Sequence, residues 1–244
     1  MTDPFAPKGP LLVLKDVSKR FGGLRAVSDL NLAVRHGELR CLIGPNGAGK
    51  STVFKLIIGF ERPTTGTITF DGAVIDRWPR WRRARQGLSV KMQVPGIYPE
   101  LSVHDNMRVA AQYHVKSGQM EEAIDRLIAR VGLTGLEREL AKNLSHGQQQ
   151  WLEIGMALSV NPKLLLLDEP TAGMGPGETE ATARLVESLN ADGVTIMVIE
   201  HDMTFVRQIA RTITVMNLGR VFAEGTIAEI EANQGVMDIY LGRT

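Results

Sequence analysis

The stretch GPNGAGKS, residues 44 to 51, decides the fold that we expect for this chain. It follows ELRCLIG (38–44), an apolar run typical of a buried strand, and leads into STVFKLIIG (51–59), which has helix length and ends at a glycine. A glycine-rich loop at this junction points several backbone N–H groups at a bound phosphate group. The positive N-terminal end of the helix faces the same phosphate. Lys50 then reaches the outer phosphates, and Ser51 offers its hydroxyl to Mg²⁺. The stretch therefore predicts an α/β fold with a nucleoside triphosphate site.

A pair of acids supplies the expected partner of this loop. PKLLLLDEP (162–170) is a continuous apolar run of the kind found in central parallel strands, and Asp168 and Glu169 end it. Neighbouring residues leave a strand in different directions, so one acid can face the metal while the other polarises a water molecule. Two helix N-cap carboxylates are the alternative, but they do not explain why both acids follow four leucines.

A second anion-facing helix start lies about a hundred residues further on. In LSHGQQQWLEIGMAL (144–158) a short polar loop opens a predicted helix. One chain thus has two loops suited to gripping an anion with backbone N–H groups.

The rest of the pattern indicates a single domain over residues 1–244. Strands alternate with helices, which favours an α/β sheet. We predict strands at 11–17, 30–35 and 65–72, the last ending in an Asp-Gly turn, and helices within 103–115 and 120–132. The predicted parts are an α/β core (11–93 and 153–226), a helical subdomain (94–152) and a C-terminal helix (227–244).

Composition restricts the classes of function. The net charge of +1 gives no reason to expect a nucleic-acid partner, and RWPRWRRARQ (77–86) is best interpreted as a solvated helix face. The one cysteine, Cys41, excludes an internal disulfide and is expected to be buried. The first residues do not have a secretory pattern, and no run approaches the ~20 apolar residues of a membrane helix.

Five motifs in this order resemble the nucleotide-binding subunit of ATP-binding-cassette (ABC) transporters, from about Leu11 to Gly242. They are GPNGAGKS, Gln93, LSHGQ, LLLLDE and His201 in VIEHD. The resemblance implies a P-loop NTPase (RecA-like) core with an antiparallel β region and an inserted α-helical subdomain. It also implies ATP hydrolysis with ATP and Mg²⁺ as cofactors.

The resemblance assigns roles to matching positions. Glu169, His201 and Gln93 would be catalytic, and Ser51, Gln93 and Asp168 would hold Mg²⁺. Phe21 would stack on adenine, where a core phenylalanine is the alternative. The remaining ATP contacts would come from Gly44, Pro45, Asn46, Gly47, Ala48, Gly49, Lys50, Ser51 and Thr52.

In this family two chains pair head to tail, with each ATP between the phosphate loop of one chain and the signature loop of the other. The signature residues acting in trans would be Ser145, His146, Gly147 and Gln148. Two positions depart from the family pattern. His146 replaces a glycine, and Gly175 replaces an Asp or Asn that helps to couple the two sites.

FGGLRAV, EPTAGM, VIEHDM and IYLG resemble the branch that imports branched-chain amino acids, urea and short amides, and LSHGQQQWLEIGM is most similar to the urea-importer ATPase. The implied partners are a second copy or a sister ATPase, two transmembrane permease subunits and, indirectly, a solute-binding protein. The chain would sit on the cytoplasmic face of the inner membrane and receive a permease near Gln93, in VPGIYPELSVHDNM (94–107).

Two other functions remain open from the sequence. A non-transport ABC ATPase of DNA repair, chromosome structure or translation tends to carry long coiled-coil insertions or two cassettes. A P-loop kinase or another phosphotransferase would need an acceptor site and has no use for LSHGQ.

Overall fold

The computed structural model describes residues 9–93 and 96–241, which form two β-sheets surrounded by helices. Val94 and Pro95, at the start of the segment expected to receive a permease, lie outside the described residues. In chain order the strands and helices are β1 (Leu12–Phe21), β2 (Leu24–Val34), β3 (Leu39–Ile43), α1 (Lys50–Ile58), β4 (Thr65–Phe70), β5 (Ala73–Val74), α2 (Arg80–Arg85), β6 (Leu88–Lys91), α3 (Val103–Ala111), α4 (Met120–Arg130), α5 (His146–Leu158), β7 (Leu164–Asp168), α6 (Pro176–Ala191), β8 (Thr195–Ile199), α7 (Met203–Ile209), β9 (Thr212–Asn217), β10 (Arg220–Gly225), α8 (Ile227–Glu231) and α9 (Gln234–Leu241).

The larger sheet positions the predicted site. Its order is β10-β9-β3-β8-β7-β6, and every neighbouring pair is parallel except β10 with β9. Parallel strands end at the same edge of a sheet, so the residues that follow β3, β6, β7 and β8 come together there. The predicted α/β core is therefore present, and β9 and β10 add an antiparallel hairpin at its edge.

The smaller sheet is antiparallel, in the order β2-β1-β4-β5. Asp71 and Gly72 join β4 to β5 with φ values of 47° and 80°. Two consecutive positive φ values match the right-handed twist of a two-residue hairpin. The predicted Asp-Gly turn is confirmed.

Strands β1 and β2 are longer than the predicted 11–17 and 30–35. Asp16 and Asp29 have positive φ values of 52° and 48°, and the pairing of the two strands shifts register near them. Such bulges break the alternation of apolar and polar residues that marks a strand in sequence. The two predicted strands therefore cover only the parts of β1 and β2 where the alternation is regular.

The central strands of the larger sheet, β3, β8 and β7, are buried on both faces. Leu165 and Leu167 pack into a core with helices α3 to α7, while Leu164 and Leu166 pack into a second core with α1 and the smaller sheet. This arrangement explains why the run before the acids is apolar at every position. Cys41 is fully buried in the first core, and burial raises the pKa of its thiol.

Helices α3, α4 and α5 pack on one another, and their buried side chains belong to the same core as β7. Two predicted boundaries differ from the structure. Helix α3 ends at Ala111, and α5 runs unbroken from His146 to Leu158, so a boundary between residues 152 and 153 would cut a helix.

The end of the chain was predicted as one helix over 227–244, and this was wrong. Thr226 caps α8 by accepting from the Glu229 N–H, and a separate helix, α9, begins at Gln234. Residues 242–244 lie outside the described part.

The interpretation of residues 77–86 as a solvated face needs one correction, at Arg83. This side chain is 1% exposed. Its Nη1 donates to the carbonyls of Leu56 (2.7 Å) and Ile57 (2.8 Å) at the end of α1. A cation there satisfies carbonyl groups that a helix end leaves unpaired.

Within residues 9–93 and 96–241, no helix combines the length and the apolar character needed to cross a membrane.

Candidate active site

The phosphate loop joins β3 to α1 and closes around Lys50. Lys50 Nζ donates to the carbonyl oxygens of Gly44 (2.7 Å) and Pro45 (3.0 Å). Gly49, at the start of α1, has a φ of +100°, and a Cβ built there would lie 2.5 Å from the Ala26 carbonyl oxygen. Only glycine fits this close approach. The loop that the sequence predicts is thus compact and leads into the start of α1, the end of a helix that favours an anion.

The loop opens into a cavity of about 510 Å³ at the carboxyl edge of the larger sheet. Three groups of residues line it: the start of β2, the phosphate loop, and residues that follow β6, β7 and β9. The lining residues are Leu24, Arg25, Ala26, Asn46, Gly47, Ala48, Gly49, Lys50, Ser51, Thr52, Gln93, Glu169, Leu218 and Gly219.

Glu169 has polar neighbours from two adjacent strands. Gln93 Nε2, after β6, donates to Glu169 Oε2 at 2.8 Å. His201 Nδ1, after β8, lies 3.6 Å from Glu169 Oε1. Strand β7 lies between β6 and β8, which brings these three predicted residues into one group.

Asp168 is 4% exposed at the end of β7. Burial, and secondly the neighbouring charge of Glu169, raises the pKa of Asp168 to about 6. Burial also lowers the pKa of Lys50, against the attraction of Glu169 and Asp168. Both shifts have the same first cause, the burial of these groups away from water.

The donor set suits Mg²⁺. A carboxylate only accepts, so the amide nitrogen of Gln93 faces Glu169 and leaves the amide oxygen free. That oxygen, the Ser51 hydroxyl and Asp168 are hard oxygen ligands of the kind Mg²⁺ prefers. In the described residues no group of three or more His, Cys, Asp and Glu side chains could hold a metal ion. The ion would therefore depend on phosphate oxygens as well.

Phe21 is predicted to stack on adenine, but it is not among the residues that line the cavity. Its ring is 42% exposed, and Lys19 Nζ lies 4.7 Å from the ring centre. Leu24, three residues later, lines the cavity and is 67% exposed. Adenine stacking by Phe21 stays a prediction.

The signature residues Ser145, His146, Gly147 and Gln148 do not line this cavity either. Ser145 caps α5 by accepting from the Gln148 N–H at 3.2 Å, and Gln148 Oε1 accepts from the Ser145 N–H at 2.9 Å. His146 Nε2 donates to the Ala172 carbonyl oxygen at 2.8 Å. The larger residue at position 146 thus contacts the segment after the acids of its own chain.

Two buried charged residues of this site were missed by sequence reasoning. Lys91 Nζ donates to the carbonyls of Asp168 (3.3 Å) and Glu169 (3.4 Å), and burial lowers its pKa. Glu200 Oε1 accepts from Thr171 N at 3.2 Å, and Oε2 accepts from His201 N at 2.8 Å. Each is a charge at the end of an apolar strand beside a predicted site residue, which is the signal that could have found it.

Comparisons with known proteins identify the family of this chain. A family model described as ABC transporter matches residues 27–172. The chain belongs to the ABC transporter family. The chain is 39% identical over 250 residues to LivG of Salmonella typhimurium, a high-affinity branched-chain amino acid transport ATP-binding protein, covering 96% of this chain and 98% of LivG. It is also 33% identical to the lipopolysaccharide export ATP-binding protein LptB of Escherichia coli, covering 95% and 97%.

Solved ABC cassettes have the same fold. The ADP conformation of the cassette MJ1267 matches with a TM-score of 0.89 and 28% identity, covering 96% of this chain and 99% of that one. A dimeric post-hydrolysis cassette, MJ0796 with ADP and phosphate, matches with a TM-score of 0.79 and 25% identity, covering 88% and 98%.

Membership in the ABC family confirms the predicted fold class and makes the chain an ATPase subunit of a transporter. It excludes the metabolic phosphotransferase and does not favour a non-transport ATPase.

Proposed function

We propose that two ATPase chains pair head to tail around two ATP molecules and so power an importer of branched-chain amino acids or of urea and short amides. One observation carries the pairing. The phosphate loop, Gln93 and Glu169 line one cavity, while the second anion-facing loop, Ser145 to Gln148, lies outside it. A loop of that kind with no role at its own chain's cavity suits the ATP of a second chain. The dimeric state of the relative MJ0796 supports this proposal.

The chemistry follows from the contacts of Glu169. Its carboxylate would accept a proton from the attacking water, while Gln93 and His201 hold the carboxylate and the water in position. Lys50 would neutralise the charge that develops on the phosphate oxygens. When bound between Ser51, Gln93, Asp168 and ATP, Mg²⁺ would supply a further positive charge at those oxygens.

Two observations bear on the solute. The branched-chain amino acid relative LivG is 39% identical over nearly the full length. The segment LSHGQQQWLEIGM, by contrast, resembles the urea-importer ATPase. The solute contacts permease and solute-binding subunits rather than the ATPase, so both remain within the proposal.

The expected permease contact is the segment after Gln93, with the chain held peripherally on the cytoplasmic face of the membrane. Asn106, fully buried in α3, donates through Nδ2 to the Tyr98 carbonyl (3.0 Å) and accepts through Oδ1 from the Tyr98 N–H (2.7 Å). The Tyr98 side chain is 49% exposed. A fixed backbone with an exposed aromatic side chain suits a partner helix.

The pairing is tested by the solution mass of Glu169→Gln, measured by light scattering with and without Mg-ATP. A shift from monomer to dimer supports self-pairing. If the variant binds ATP and stays monomeric, the isolated chain does not pair with itself, and pairing needs a sister ATPase or the permease subunits.

The solute is tested in the transporter assembled with its permeases and solute-binding protein in vesicles. ATP hydrolysis should rise with leucine if the importer carries branched-chain amino acids, and with urea or acetamide if it carries amides. Stimulation by none of these solutes, in a transporter that hydrolyses ATP, would contradict the proposed import.

A further inference from the structure

The signature loop of the described chain already holds an anion, the carboxylate of Glu178 in the first turn of α6. Glu178 Oε1 accepts a hydrogen bond from the Ser145 hydroxyl at an O–O distance of 2.9 Å. Glu178 Oε2 lies 3.3 Å from the Gly175 nitrogen and accepts its N–H. One carboxylate therefore joins the signature loop to the segment that follows the catalytic acids.

The same side chain also covers Gly147. A Cβ built at Gly147 would lie 2.6 Å from Glu178 Oε1 and 2.7 Å from its carboxyl carbon. Gly147 is buried, whereas Ser145 beside it is exposed. The absence of a side chain at position 147 thus lets the Glu178 carboxylate lie against the first turn of α5.

A second contact ties the two segments together independently of Glu178. His146 Nε2 donates to the Ala172 carbonyl oxygen at 2.8 Å, and its ring lies against Gly173. The signature loop is therefore held against residues 172–178 of its own chain at two points. These contacts lie at and near the two positions that depart from the family pattern, His146 and Gly175.

We propose that Glu178 is a positioning residue of the signature loop, Ser145 to Gln148. Its carboxylate occupies the position of the partner's ATP γ-phosphate until the two chains close. The inference rests on the proposed pairing, in which Ser145 and the Gly147 N–H contact that phosphate. A serine hydroxyl has one proton to donate, so Glu178 and a phosphate oxygen compete for it. The two anions also repel each other at such short range. Closing the dimer must therefore displace the carboxylate, which raises the ATP concentration at which chains pair.

The test compares Glu178→Gln with its parent in the Glu169→Gln background, by titrating Mg-ATP and measuring the mass of the particle. Glutamine keeps the shape and an acceptor oxygen but removes the charge. We expect pairing at a roughly three- to tenfold lower ATP concentration, the difference between a charged and a neutral hydrogen bond. Glu180→Gln, which changes the same charge on the same helix but pairs with Arg184, should leave the midpoint unchanged.

A second readout uses chains with Glu169 intact. Glu178→Gln should lower KM for ATP by a similar factor and leave kcat within about twofold, because the chemistry at Glu169 is untouched. A variant that only lost a helix cap would instead lower the melting temperature and leave KM unchanged. Unchanged or higher values of KM and of the pairing midpoint would overturn the proposal.

The two proposals fail separately. If the Glu169→Gln parent does not pair but Glu178→Gln still lowers KM in the assembled transporter, self-pairing is wrong and the role of Glu178 stands. If the parent pairs with ATP and Glu178→Gln changes neither readout, pairing stands and the role of Glu178 is wrong.

Discussion

At the scale of single residues, the backbone of Glu169 has an unusual conformation that sets the direction of its side chain. Its φ is +47°, a conformation that costs a non-glycine residue about 1 kcal/mol or more. The neighbouring backbone is fixed by Glu169 N donating to Ile199 O at 3.0 Å and by Lys91 donating to the Glu169 carbonyl. This turn directs the carboxylate toward Gln93 and His201 rather than along β7.

Replacing Glu169 by Gln should keep ATP binding and slow hydrolysis by roughly 10²-fold or more, because the general base is lost. Single-turnover phosphate release measures this rate. Glu187→Gln, an exposed acid on α6, serves as the control and should hydrolyse ATP at the normal rate. Near-normal turnover in Glu169→Gln would assign the base to another group.

Replacing Lys50 by Ala should abolish productive ATP binding, because the loop would lose the cation that meets the outer phosphates. Lys55→Ala removes an exposed charge from the same helix and should bind ATP normally. Equilibrium binding of a fluorescent ATP analogue compares the two. Equal affinity in both variants would contradict the assignment of the phosphate loop.

The raised pKa of Asp168 predicts that the folding stability of the nucleotide-free chain depends on pH. It is about 6 in the folded chain, against about 3.9 in an unfolded one, so the folded state binds this proton more tightly. The stabilisation that protonation provides is complete below pH 4 and is lost as the pH rises through 6.

Asp168→Asn should therefore be about as stable as the parent at pH 4 and more stable by roughly 1–3 kcal/mol at pH 7, although it should lose Mg-ATP hydrolysis. Urea unfolding at several pH values measures the difference. A difference that does not change with pH would contradict the shift.

The apolar run before Glu169 predicted this acid, and the resemblance to ABC subunits added Gln93 and His201. The structure brings the three together because they follow the neighbouring strands β6, β7 and β8. The sequence did not predict Lys91, Glu200 or Glu178. Each has a partner that lies 29 to 78 residues away in the chain. The partner of a charged side chain depends on strand order and helix docking, which local pattern does not encode.

At the scale of elements, Arg83 links α2 to the end of α1. Besides the carbonyls of Leu56 and Ile57, its guanidinium donates to those of Trp78 (3.1 Å) and Asp76 (3.2 Å). Burial lowers the pKa of Arg83 to about 10, so it stays charged near neutral pH. The helix that begins at the phosphate loop is thus held at its far end by one side chain.

Arg83→Met should lower the free energy of unfolding by about 2–4 kcal/mol, because four carbonyl groups lose a charged donor. The matched control is Arg82→Met on the same helix, an exposed residue whose guanidinium lies 4.1 Å from the Trp78 ring centre. It should cost less than about 1 kcal/mol. Chemical denaturation measures both, and equal losses would show that Arg83 is not a structural link.

Element boundaries show the limits of local pattern in another way. The strand before the phosphate loop and the strand before the acids were predicted because both are mostly apolar, with Arg40 the one charged residue inside β3. The first half of β2 was missed because Ser28 and Asp29 interrupt its pattern. Asp29 accepts from Ser18 across the bulge (3.1 Å), and that contact belongs to the folded sheet alone.

At the scale of the whole molecule, the two anion-facing loops belong to different parts of one body. The phosphate loop joins the larger sheet to α1, and the signature loop opens α5 in the helical region. In the proposed pairing, a monomer would bind ATP with the first loop and leave the second exposed.

Ser145→Arg should therefore leave ATP binding to the monomer intact and prevent ATP-driven pairing, because a long cation would occupy the contact with the partner. Ser117→Arg, at another exposed serine of the helical region, should still pair. Both are made in the Glu169→Gln background and compared by light scattering. Full pairing of Ser145→Arg would contradict the proposed contact in trans.

The unbroken course of α5 has a mechanical consequence. One end of this helix is the signature loop, while further along Glu153 accepts from the Gly96 N–H, close to the segment after Gln93, and Ala157 accepts from the Ser89 hydroxyl of β6 at 2.7 Å. Thirteen residues make a rod about 20 Å long. A tilt of about 5° around its middle moves each end by about 1 Å in opposite directions. Arrival of a second chain at the signature loop would then move the opposite end, where Ala157 contacts the strand that leads to Gln93, in a single rigid movement, while Glu153 lies beside the pivot and keeps its contact with Gly96.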